Sequence, residues 1–257
     1  MQSGGEKVVE SIRNWCEANK IKVNIGKTCY LSFCINHFNA PDTFYFDMDL
    51  KQVKPANVCS FLGLKMDSGL RWNDHIDELI KRLSKATFAI ATLARTMHQQ
   101  IVFSAYYGYF QPLLTYGLLF WGTSPEIIRV FRAQKRVIRI MLKKPPGSPC
   151  RELLRSTGTL TLPCLYILES VAFGLKHAST WTRGADLHNY NTRSRNTYRI
   201  QQHRTSFYEK NPIHMSQKMI NSLPHHLKDI DNRVQLKKKL KDWLADLCFY
   251  DMNDFLL

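Results

Sequence analysis

The run "EIIRVFRAQKRVIRIMLKK", residues 126–144, places cations three and four residues apart. At about 100° per residue, Arg129, Arg132, Arg136, Arg139 and Lys143 fall inside an arc of roughly 80°. Ile127, Val130, Phe131, Val137, Ile138, Met141 and Leu142 fill the opposite side, so one face packs and the other forms a cationic ridge. Residues 127–144 contain no acid. Like charges at these spacings repel unless a partner neutralises them, and the chemistry this favours is contact with phosphates; a merely solvated face is the other reading. If each of the five cations neutralises one phosphate, the log–log dependence of affinity on salt has a slope of about −4.5.

Other chemistries find less support. Paired acids occur as Asp47 with Asp49 and Asp229 with Asp231. Such pairs hold Mg²⁺ when they close a buried strand, but the first precedes a Lys-rich turn and the second follows "PHHLK". No Cys-x2-Cys and no His-Glu-x-x-His is present, and His214, His225 and His226 read as surface or helix-end residues. There is no Gly-rich phosphate loop and no Gly-x-Ser-x-Gly elbow. The seven cysteines, at 16, 29, 34, 59, 150, 164 and 248, are odd in number and irregular in spacing, which suits reduced thiols better than a disulfide framework. With no secretory leader to be read, the expected compartment is cytoplasmic or nuclear.

The charge agrees with an anionic partner. The chain of 257 residues carries 36 Lys and Arg against 21 acids, a formal +15, and nearly all of the excess lies after residue 60. Residues 96–125 hold no charged side chain, so "IVFSAYYGYFQPLLTYGLLFWG" is long enough to be weighed as a membrane span. Gln111-Pro112 in its middle, four Tyr, Ser104 and Thr115 argue instead for a helix buried on all sides within a bundle, and no membrane contact is expected.

These residues need a scaffold, and the periodicity outlines one. Val8, Val9, Ile12, Trp15 and Cys16 predict an amphipathic helix over 6–18. The stretch 20–67 predicts a small antiparallel sheet carrying that helix, with Gly26 turning between two short strands. Ile76, Leu79, Ile80, Leu83, Thr87, Ile90, Ala94 and Met97 mark a helical stripe, with Asn73 or Asp74 as its cap. The charge-free segment is expected to kink near Pro112. A helix from about 125 to 144 follows and stops at Pro145-Pro146-Gly147. Two helices around Pro163 turn Leu153, Leu154, Leu165, Leu168, Val171 and Leu175 inward. The polar, Arg-rich stretch at about 182–206 reads as an exposed connector, and helices near 213–222 and 233–249 close the chain. The fold class is α+β, mostly α.

Three motifs occur in order and carry a family resemblance. "NWCEANKIKVNIGKT" resembles the stretch that follows the catalytic Asp-Asp turn in reverse transcriptases of non-LTR retrotransposons. "FLGLKMDSGLRWNDHI" is similar to the palm–thumb junction of the jockey-like group. "LTYGLLFWG", "AQKRVIRIM", "HNYNTRSRN" and "NSLPHHLKD" resemble the thumb and C-terminal region of the same elements. The resemblance spans nearly the whole chain. It implies a palm remnant at 1–67, a helical thumb at 68–147 and a C-terminal helical region at 148–257. It also implies that the Tyr-Ala-Asp-Asp turn, which in the full-length family holds Mg²⁺, would lie before residue 14; this chain does not contain it, so no cofactor and no polymerisation are expected of this chain alone.

By the same resemblance Lys27 corresponds to the lysine suggested to protonate departing pyrophosphate, a vestigial role here, and its plain reading is an exposed strand lysine. Phe61, Leu62 and Gly63 match the turn called the primer grip. The ridge lies on the thumb helix that tracks a template–primer backbone, and Arg193 and Arg195 in "HNYNTRSRN" either contact RNA or belong to a linker. The implied partner is RNA or an RNA/DNA duplex. Two alternatives stay open: a helical protein–protein interaction module whose partner is the missing fingers and palm half or another protein, and a translated transposon remnant without function.

Overall fold

The computed structural model describes residues 2–33, 46–48, 51–187, 189–190, 192, 195–230 and 232–256. The architecture is α+β and mostly α. The chain divides into two compact units, Met1–His75 and Ile76–Leu257.

The first unit opens with helix α1, Gln2–Ala18. Its apolar stripe is largely uncovered: Cys16 is buried and Val9 half-buried, but Val8, Ile12 and Trp15 are exposed, contrary to the expectation that this face packs. Strands β1 (Cys29–Tyr30), β2 (Phe46–Met48) and β3 (Lys51–Pro55) form one sheet in the order β1-β3-β2. β2 pairs antiparallel to β3 with Phe46 opposite Val53, whereas β1 runs parallel to it with Cys29 opposite Lys54. β4 (Val58–Phe61) and β5 (Leu64–Asp67) form an antiparallel hairpin. Its tip, Leu62-Gly63, has φ of 48° and 79°, the mirror-image turn whose twist matches the flanking strands.

Gly26 does not turn between two strands. Ile25–Lys27 is a 3₁₀ turn, and Asn24 nucleates it: its carbonyl accepts from Lys27 N–H at 3.0 Å and from Thr28 Oγ1 at 2.9 Å. The hairpin leads into helix α2, Asn73–Thr96. Asn73 and Asp74, expected as caps, lie inside the helix. Asp67 instead gathers the backbone before it, its carboxylate accepting from the N–H groups of Gly69, Arg71 and Trp72 at 3.0, 3.1 and 2.8 Å. The stripe read from the sequence is buried at Ile76, Leu79, Leu83, Thr87, Ile90 and Ala94, and only Met97 at its end is exposed.

In the second unit the charge-free segment becomes α3 (Gln99–Ala105), a π turn at Tyr106–Phe110, α4 (Gln111–Thr115) and α5 (Leu118–Trp121). The π turn accommodates Pro112. Gln111 N–H reaches back five residues to Tyr106 O, and the next residue, a proline, has no N–H to satisfy. Gly117, at φ 63°, restarts the chain as α5 after the extended Tyr116. Burial is one-sided: Val102, Tyr106, Phe110, Leu114 and Leu118 point inward, while Ile101, Tyr109, Tyr116 and Phe120 are about half exposed. The expected all-round burial is therefore not found here. Among the described residues no helix is long and apolar enough to cross a membrane.

Helix α6, Ile127–Met141, and α7, Arg151–Ser156, lead to α8, Leu162–His177, which is the central helix. α8 is buried on almost every side from Leu162 to Val171. It starts as an apolar proline-led helix should: Thr161 Oγ1 accepts from Cys164 N–H at 3.2 Å, and Pro163 sits in the first turn, where no N–H is needed. After α9 (Ser206–Glu209), helices α10 (Pro212–Asn221) and α12 (Arg233–Leu247), with α11 (His225–Lys228) between them, pack around α8, and α13 (Asn253–Leu256) ends the unit. Helices α4, α5 and α6 also pack on α8, so the core of this unit runs across residue 148.

The stretch read as an exposed connector is anchored at Tyr198, which is buried. Tyr198 exchanges two 2.8 Å hydrogen bonds with the Asn221 side chain, and its hydroxyl accepts from Arg183 Nη2 at 2.7 Å.

Candidate nucleic-acid interface

The ridge is held in place by the face beneath it. Val130, Phe131, Val137, Ile138 and Met141 of α6 are buried, as the periodicity requires, and so is Gln134 in their midst. Gln134 Nε2 donates to the Tyr106 hydroxyl at 3.0 Å and to the Leu160 carbonyl at 2.8 Å. Burial raises the Tyr106 hydroxyl pKa well above the usual phenol range, so it stays protonated and keeps its place in this network. A rotation of α6 would break both bonds, so the network fixes which side of the helix faces water.

The five ridge cations are not equivalent. Arg129 Nη2 lies 2.8 Å from Asp77 Oδ1 on α2, and Nη1 is 3.4 Å from Glu126 Oε2. The Asp77 hydrogen bond, followed by its charge and by Glu126, raises the Arg129 pKa. Arg139 Nε donates to Ser148 O at 2.8 Å, bracing the turn that follows the helix. Arg132 and Arg136, one turn apart, are exposed and have no partner among the described residues.

Lys143 also differs from its expected setting. α6 ends at Met141, not at residue 144, and Lys143 stands beyond it at φ 52°. Its N–H bonds Ile140 O at 3.1 Å, and Lys144 N–H bonds Arg139 O at 2.9 Å, the paired closure that normally places glycine where Lys143 stands. Lys143 remains exposed, now projecting from the turn. Among the described residues the ridge thus offers three exposed, uncommitted cations, not five.

Two further features depend on packing that local spacing does not report. Lys135 Nζ lies 4.7 Å from the Phe131 ring centre and 5.4 Å from that of Tyr250, while Arg151 lies 4.6 Å from the Tyr250 ring. Burial pushes the Tyr250 hydroxyl up to about 12. Elsewhere in the same unit, Lys176 of α8 joins Arg233, Lys237, Lys238 and Lys241 of α12 around a groove of about 450 Å³ floored by Ala172, Leu175 and Val234. The α12 lysines are visible in the sequence, but their convergence with Lys176 depends on the packing of α12 on α8.

The other expected residues are dispersed. Lys27 is exposed at the end of the 3₁₀ turn, not on a strand. Phe61 and Leu62 are exposed at the hairpin tip beside Gly63. Arg195 is exposed, and its carbonyl accepts from Ala185 N–H at 2.8 Å; Arg193 lies outside the described residues. His225 and His226 are exposed at the start of α11, and His214 is a helix-end residue, in the first turn of α10, that is buried and not on the surface. Asp47 is in β2 and Asp229 ends α11, while Asp49 and Asp231 lie outside the described residues. Among the described residues no three His, Cys, Asp or Glu side chains gather in a way that could hold a metal ion. Compared with protein-family models, with curated proteins and with solved structures, the chain matches none.

Proposed function

We propose that this chain binds nucleic acid through the exposed α6 ridge, as the thumb and C-terminal part of a reverse transcriptase of the jockey-like non-LTR retrotransposon kind. The observation that carries the reading is the acid-free outer face of α6, where Arg132 and Arg136 are exposed and unpartnered among the described residues while Gln134 fixes the helix about its axis. Cations held at helical spacing on a rigid element suit the regular phosphate spacing of a duplex, and such contacts position a backbone without reading its sequence. The motif resemblance supplies the duplex: RNA paired with DNA. Polymerisation is not proposed for this chain alone, because the Tyr-Ala-Asp-Asp turn, to which the resemblance assigns the metal-holding carboxylates, is not in its sequence.

Fluorescence anisotropy with a labelled RNA/DNA hybrid tests the reading. Binding that weakens steeply with salt and is reduced by Arg132→Ala with Arg136→Ala supports it. Salt-independent binding, or binding that the double variant leaves intact, refutes it.

A second reading, a protein-interaction module, is favoured by α1. Val8, Ile12 and Trp15 are 58%, 47% and 61% exposed on one helical face, apolar area of the kind that partners cover. Gel filtration with light scattering checks it: self-association or capture of the apolar dye ANS supports this reading, and a monomer that binds no dye counts against it.

A further inference from the structure

Cys29 Sγ and Cys59 Sγ lie 3.8 Å apart in the first unit. Cys29 is exposed and Cys59 half-buried, so an oxidant reaches both from solvent. The pair spans two sheets that share no ladder: Cys29 belongs to β1 and Cys59 to β4. Their proximity follows from the backbone. Cys29 stands opposite Lys54, Tyr30 opposite Pro55, and Tyr30 O accepts from Ala56 N–H at 2.9 Å. Only Ala56 and Asn57 separate β3 from β4, so the register that sets Cys29 also sets Cys59. The two sulfurs, 3.8 Å apart, must approach by a little under about 2 Å to reach a bond of about 2.05 Å. The other described cysteines, Cys16, Cys150, Cys164 and Cys248, are buried.

We propose that Cys29 and Cys59 are a modification site, a dithiol that a peroxide converts reversibly to a disulfide. One thiol, as its thiolate, attacks a peroxide oxygen and becomes a sulfenic acid with release of water. The second thiol then attacks that sulfur, the S–S bond forms, and a second water leaves. Two thiols lose two electrons in total and one peroxide gains them. The bond ties the three-stranded sheet to the hairpin and so restrains the tip at Phe61, Leu62 and Gly63, which begins two residues after Cys59. Burial and the neighbouring Cys59 raise the Cys29 pKa, so the pair depends on proximity of the second thiol and not on an acidic first one.

The test treats the full chain with hydrogen peroxide, blocks remaining thiols with iodoacetamide and maps the products by mass spectrometry after trypsin and chymotrypsin. Chymotrypsin cuts after Tyr30 and Phe33, which separates Cys29 from Cys34. The expected result is the loss of two free thiols in a monomeric chain, a Cys29–Cys59 linked peptide, and its disappearance after dithiothreitol. Cys29→Ser and Cys59→Ser each abolish the link while the far-ultraviolet dichroism is retained. Thiols that stay blockable under peroxide that fully oxidises free dithiothreitol overturn the proposal. So does linkage to Cys34, or linkage between chains.

Discussion

The ridge can be tested for how many of its cations are free, as well as for whether it binds. Each phosphate neutralised contributes about −0.9 to the log–log salt slope, so five equivalent cations give about −4.5, and three, with Arg129 held by Asp77 and Arg139 turned toward Ser148, give about −2.7. Between about 50 and 200 mM salt the first means roughly 500-fold weakening and the second roughly 40-fold. Replacing Arg132 and Arg136 with alanine leaves Lys143, and the slope falls to about −0.9. Asp77→Asn acts in the opposite direction: it releases Arg129, and the slope steepens by up to about 0.9. Anisotropy of a labelled RNA/DNA hybrid across a salt series measures the slope for all three chains. A native slope near −4.5 with no response to Asp77→Asn would show that the Arg129 ion pair does not persist in solution. A slope near zero would remove the ridge from the function altogether.

Three further outcomes are expected. Lys143→Gly removes the strain of a side chain at φ 52° and raises unfolding stability by about 1 kcal/mol in a denaturant titration, while flattening the salt slope by about 0.9. Gly122→Ala sets a methyl group 2.5 Å from Leu118 O and against the Tyr166 ring, costing roughly 1–3 kcal/mol by the same titration, because a backbone carbonyl and a buried ring leave no room to adjust. His203 and His214, whose rings are 4.8 Å apart, titrate on opposite sides of 6.5 in a ¹H–¹³C NMR series. Glu209 raises His203, an effect that stabilises fully below pH 6.5 and is lost as pH rises through the folded value. Burial lowers His214, whose neutral form is the one accommodated, so its contribution is present above 6.5 and fades as pH falls through the folded value. Coincident titrations would contradict the packing of these rings.

The parts of this fold that could be read from sequence are those governed by neighbours three and four residues away. The packed and cationic sides of α6 and the α2 stripe follow from local spacing, and the structure has them, whereas the charge-free segment passes Pro112 through a π turn and breaks only at the extended Tyr116. What spacing could not show is which charges are already spent. Asp77 neutralises Arg129 from a helix about fifty residues earlier, and no periodicity in either segment reports that approach. The same holds for burial. The composition of the charge-free run at 96–125 predicts a surrounded helix, yet it is buried on one side only, while α8, which carries Glu169, is the enclosed helix. Composition sets the most that a helix can bury, and the number of partners around it sets how much it does. Gln134 shows the converse. A polar residue on an apolar face reads as a flaw in the stripe, but here it satisfies the Tyr106 hydroxyl and the Leu160 carbonyl, two groups that packing leaves without water. Gln134→Leu would keep the apolar pattern and still weaken the fold, because both groups would stay buried without that donor. The residue least like its neighbours on α6 is the one that determines where the arginines point.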